Sequence, residues 1–209
     1  MGRNILKILY AVALMSISTS AHADEVSSGN GVTPNVSTSN VWTFPENVPG
    51  TVGISRLFRD KQSVSFEMTT AGLAPDAIYT VWWVIFNDPN ACDGISFQLA
   101  SSQLCDENDL FNPATHPGLI WADGFQASAA GTGSFSATLL ENDTTGDQPF
   151  ASFGLDNSLL NAAKAEVHVV LRSHGAPGIG GVDIVTQLTN YDIGCSICVD
   201  THFAAHPKK

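Results

Sequence analysis

Residues 79–86 read Tyr-Thr-Val-Trp-Trp-Val-Ile-Phe. Every position is β-branched or aromatic, and turn signals bound the run on both sides: Ala74-Pro75-Asp76 before it, Asn87-Asp88-Pro89 after it. A short, continuously apolar run of this kind predicts a central strand buried on both faces. Successive side chains of a strand point to opposite faces. Trp82 and Trp83 therefore face opposite ways, and at least one of them belongs to a core. The lead-in, Leu73-x-Pro75-x-x-x-Tyr79, matches the corner of a Greek-key sandwich, where a Tyr buries its ring and turns its hydroxyl back to nearby backbone.

Outward from this strand, apolar residues recur with period two. Val64, Phe66 and Met68 alternate with Ser63, Ser65 and Glu67, and Gly131 to Leu140 alternates again. In Glu166 to Arg172, Val167, Val169 and Leu171 share one face, and Glu166, His168 and Arg172 share the other. Residues 182–188 form a further strand candidate. Gly- and Pro-containing turns, such as Gly131-Thr132-Gly133 and Gly180-Gly181, separate the runs. Seven or eight short strands with such punctuation predict an all-β fold, a Greek-key antiparallel β-sandwich or barrel. One short helix is expected over residues 156–165, with Asp156 or Asn157 as N-cap. No repeat divides the chain. Residues 24–40 are small and polar and read as a flexible leader, and residues 41–206 as a single domain.

The chain has 209 residues and a formal net charge of −11, with only 14% charged residues. Nucleic acid is excluded as a partner by the lack of concentrated positive charge. The N-terminus carries an export address. Arg3 and Lys7 precede an apolar run from Ile8 to Ile17, and Ala21-His22-Ala23 is a small-x-small cleavage site. Residues 1–23 are thus expected to be a signal peptide, since the apolar run is too short to span a bilayer. Export places the product in the periplasm, at the cell surface or outside the cell. An even set of four cysteines, Cys92, Cys105, Cys195 and Cys198, then favours disulfides. Of three connectivities, the local one, Cys92–Cys105 with Cys195–Cys198, is preferred.

Gly72-Leu73-Ala74-Pro75-Asp76 entering the Trp-Trp strand, followed by Asn112-Pro113, His116 and Ala122-Asp123-Gly124, resembles a stretch of the copper/zinc superoxide dismutase family. The chain is also similar to exported bacterial proteins with a Thr-Val-Trp-Trp-Val strand and a later His-x-Val-x-Arg-x-His-Gly segment, here residues 168–175. The resemblance implies a dismutase-like or CHRD-like sandwich; an immunoglobulin-like one is the related alternative. The departures bear on function. Where the dismutase strand carries its His-x-His copper pair, this chain has Val81 and Trp83, so the resemblance does not carry dismutase activity with it.

Five histidines lie beyond the export signal: His116, His168, His174, His202 and His206. His168 and His174, joined by His116 or His206, form a candidate copper or zinc site, with Glu166 and Arg172 as supporting groups. The competing reading is a Glu166–Arg172 pair with a hydrogen-bonded His168 beside it. Ser173, His174 and Asp183 supply the residue types of a hydrolase, but without a nucleophile elbow. The acidic segments 106–109 and 143–147 do not match the twelve-residue calcium loop. Trp42 and Trp121 are candidates for lining a cleft. Taken together, the residues favour an exported, disulfide-stabilised, non-catalytic binding protein. A histidine metal-binding protein is the alternative, and a hydrolase the weakest reading.

Overall fold

In the computed structural model the described residues are 35–44, 51–93, 104–155, 157–192 and 198–209. They hold eight strands: β1 (Asn35–Thr43), β2 (Thr51–Arg59), β3 (Ser63–Ala71), β4 (Ile78–Phe86), β5 (Pro117–Gln126), β6 (Thr132–Leu140), β7 (Glu166–Gly175) and β8 (Val199–His206). They form one antiparallel sheet in the order β5-β4-β7-β8-β1-β2-β3-β6. The terminal strands β5 and β6 touch, so the sheet is nearly closed on itself. The passage from β3 to β4 crosses the sheet, which sets β6 beside β3 and, over the seam, beside β5. This is Greek-key wiring, and the expected all-β antiparallel fold is the observed one.

Residues 79–86 explain why the sheet wraps. All nine residues of β4 are buried. Tyr79, Val81, Trp83 and Ile85 point into the space the sheet encloses, where they meet Leu57, Phe66, Phe135, Val167, Val169 and Leu171. Phe66 meets Trp83 edge-on at 4.8 Å. Tyr79 stacks on its cross-strand partner Phe125 at 5.4 Å, and across the seam Phe125 stacks on Phe135 at 4.7 Å. Offset-stacked and edge-to-face pairs of this kind add to the burial of large apolar area. At the corner before β4, the Ala74 amide donates to the Tyr79 hydroxyl at 2.9 Å, the clamp expected from the sequence.

Trp82, Val84 and Phe86 point the other way, out of the enclosed space. They are buried too, in a second apolar cluster with Cys105, Leu119 and Leu155. The sheet therefore has a filled interior and, over part of its outer face, a second packed layer. Loop segments supply that layer. The segment 104–116 is tied down by the Cys92–Cys105 disulfide. Leu155 accepts from the Leu119 amide and Asp147 from the Trp121 amide, which covers the free edge of β5.

Three local expectations differ from the structure. β1 begins at Asn35, inside the segment read as a leader. Its Ser, Thr and Asn residues hide the strand period, and pairing with β2 from Asn35↔Arg59 onward supplies what the composition does not. Residues 157–165 are not helical. Their amides are taken by distant side chains instead: Leu160 by Asn87 and Ala162 by Glu141. The one α-helix among the described residues is α1 (Ile184–Thr189), in the segment read as a strand. Asp183 caps it by accepting from the Thr186 amide at 2.9 Å. The alternating apolar residues of this segment gave the strand reading, and the cap overrode it. Asp156 and Cys195 lie outside the described residues, as do residues 1–34 with the expected export signal. Among the described residues no helix is long and apolar enough to cross a membrane.

Candidate functional site

The second layer does not fill all the space above the sheet. A cavity of about 690 Å³ lies between the outer face and the loops. Its floor is made by strand residues spaced two apart: Trp82, Val84 and Phe86 from β4, His168 and Val170 from β7. Trp82 and Val170 are cross-strand partners, which sets them side by side. Phe150 and Leu155 close one wall and Leu110 and Phe111 another. Tyr191 stands among them, edge-on to Trp82 and to Phe150 at 5.0 Å in each case. Phe111 and Val199 are more than half exposed and form an apolar lip.

Polar groups at the cavity are held in fixed positions. Glu166 and His168 are buried, 2.7 Å apart between Oε1 and Nε2, and the Cys105 amide donates to the same Glu166 oxygen at 2.7 Å. One carboxylate thus orients the imidazole on the floor and anchors the covering loop beside the disulfide. Arg172 does not pair with Glu166, as the simple alternative expected. It pairs with Asp192 at 2.5 Å and Asp200 at 2.8 Å, and its guanidinium lies 4.0 Å from the Tyr191 ring centroid. Burial, and then the charge of Asp200, push the Tyr191 phenol well above its ordinary value, so it stays a neutral hydroxyl.

The remaining sequence candidates are dispersed. His174 is fully buried, with Nε2 at 2.8 Å from Thr80 Oγ1 and Nδ1 at 3.3 Å from Cys198 Sγ. Burial, and then the Arg172 charge, lower its pKa to about 4. Cys198 is disulfide-bonded; its expected partner, Cys195, lies outside the described residues. His206 points into the enclosed space, between the hydroxyls of Ser37 at 3.0 Å and Ser55 at 2.9 Å. His202 meets the Ala71 carbonyl at 3.2 Å and Thr201 Oγ1 at 2.9 Å. His116 is an exposed, left-handed residue ending a single turn after Asn112. The groups of three metal-ligating side chains found among the described residues contain Asp93, Asp106, Asp109 or the cystine sulfurs, and no histidine. Asp183 uses both carboxylate oxygens on Thr186 at the start of α1, so it does not support His174.

What the residues bring together is therefore an aromatic and aliphatic chamber with His168, held by the buried Glu166, in its floor and carboxylates at its edge. Sequence reasoning placed Glu166 beside His168 but did not join that pair to Trp82. The period-two spacing of Trp82, Val84 and Phe86 opposite His168 and Val170 was the available signal. Trp121 packs against the second cluster, and its indole donates to the Leu188 carbonyl at 3.0 Å, so it is a wall support. No protein-family model matches this chain, and no curated protein matches it.

Proposed function

We propose that this chain is an exported, disulfide-stabilised binding protein whose site is the outer-face cavity, and that it holds a small, largely apolar molecule without transforming it. The observation that carries this reading is the cavity. Its volume of about 690 Å³ falls within the range of roughly 300–1,000 Å³ typical of small-molecule sites. Large apolar side chains on the outer face of a sheet are normally covered by packing. Here the covering layer packs on part of that face and leaves beside it a cavity with room for a ligand. The polar groups are few and fixed, which is how such sites set orientation. Export is supported by the three-part N-terminal pattern and by the disulfide. Binding without chemistry is supported by the engagement of Asp183 and His174 in structural bonds.

The test is calorimetry with a neutral apolar probe, naphthylmethanol, on the purified full chain and on Val170→Trp. The variant places an indole in the space beside Trp82. Saturable heat with the parent chain, a raised melting temperature in the presence of probe, and loss of both in a variant that still melts cooperatively are the expected results. Equal heat from the two proteins, or no heat from either, would sink the reading.

A further inference from the structure

We infer that the cavity selects a cation: a ligand with an apolar, ring-bearing body and one ammonium-type head. The inference rests on the binding-site reading above and deepens it. Among the described residues three carboxylates, Asp106, Glu107 and Asp200, line the cavity, and no Lys or Arg does. The nearby Arg172 does not reverse this balance, because Asp192 and Asp200 both pair with it. Asp106, Glu107, Asp192 and Asp200 thus outnumber the one guanidinium, and the only basic side chain lining the cavity among the described residues, His168, is paired with Glu166. An anionic head, carboxylate or phosphate, would enter a space whose nearby guanidinium is already paired twice and whose rim carries like charges, and the low local dielectric would magnify the repulsion. A neutral ligand would gain only apolar contact.

A cation gains twice. Trp82 and Phe150 each meet Tyr191 edge-on, at 75° and 73°, so a ligand seated among them meets ring faces and ring edges together. A cation over a ring face is attracted by the ring quadrupole, most strongly when water is excluded. The Tyr191 ring already holds one cation in this manner, since Arg172 lies 4.0 Å from its centroid. At longer range the formal charge of −11 favours the approach of cations and disfavours anions.

A matched series tests the inference: naphthylmethyl-trimethylammonium, naphthylmethanol and naphthylacetate share a ring system and differ in head charge. Calorimetry at low salt on the full chain should rank them ammonium, alcohol, acetate, with a gap of about tenfold between the first two. High salt should narrow that gap. Glu107 is exposed, so Glu107→Gln should fold normally. It should weaken ammonium binding by roughly two- to threefold more than it weakens alcohol binding. Alcohol binding with no preference for the ammonium, or a preference for acetate, would overturn the inference and leave the binding site standing. No binding by any member of the series would overturn both.

Discussion

A charge on the His206 ring would be cut off from bulk solvent. The ring is fully buried, with each ring nitrogen against a serine hydroxyl. Burial first, then the neighbouring His168 and Arg59, push its pKa down to about 3. Burial also lowers His202, and burial with the Arg172 charge lowers His174 to about 4. The sign follows from the depressed values. These imidazoles are neutral in the fold, while in the unfolded chain they take up protons below a pKa of about 6.5. Their stabilisation is complete above that value and is lost as pH falls toward their folded pKa values. Each contributes up to about 1.4 kcal/mol per pH unit to the acid limb. Denaturant melts from about pH 7 to about pH 5, above the range where carboxylates titrate, should show this loss. In His206→Gln the slope should fall by about the share of one imidazole; a slope identical to that of the parent chain would refute the assignment. The Tyr79 clamp was legible from its turn and strand context. The histidines were not, because spacing on a strand gives the face of a residue but not what covers that face.

At the scale of elements, Gly118 of β5 controls how the covering layer meets the sheet. A Cβ built there would lie 2.0 Å from the Asn157 carbonyl oxygen, a backbone atom. The neighbouring Leu119 amide bonds to Leu155, and Leu155 lines the cavity. Gly118→Ala must therefore push the Asn157 backbone off the edge of β5. Thermal melts should register a cost of about 2 kcal/mol, and naphthylmethanol binding should weaken with it. An unchanged melt would mean that the close approach is not enforced in solution. Strands with clear alternation were legible as elements, β3, β6 and β7 among them, because one face is apolar and the other polar. β1 was hidden by its polar composition. The helix prediction failed in both directions for a shared reason. Side-chain bonds to backbone decided the conformation, with Asp183 capping α1 and Asn87 and Glu141 holding 157–165 out of a helix.

For the whole molecule, near-closure of the sheet gives the two faces different roles. The enclosed face holds the main core, with Trp83 and Val169 in it. The outer face of the same strands carries Trp82 and Val170 under a loop-built cover. The sequence already separates these residues by parity, one step apart on each strand. It does not show that segments as distant as 104–111, 150–155 and 191 converge over one face, because that depends on a disulfide and on loop-to-edge hydrogen bonds rather than on periodicity. The most direct measurement is a nuclear magnetic resonance titration of the chain with naphthylmethanol, following indole N–H and valine methyl signals. Saturable shifts are expected at Trp82, Val84 and Val170, with Trp83 and Val169 unmoved. Shifts at the interior residues instead, or none at the outer ones, would contradict a binding site on the outer face.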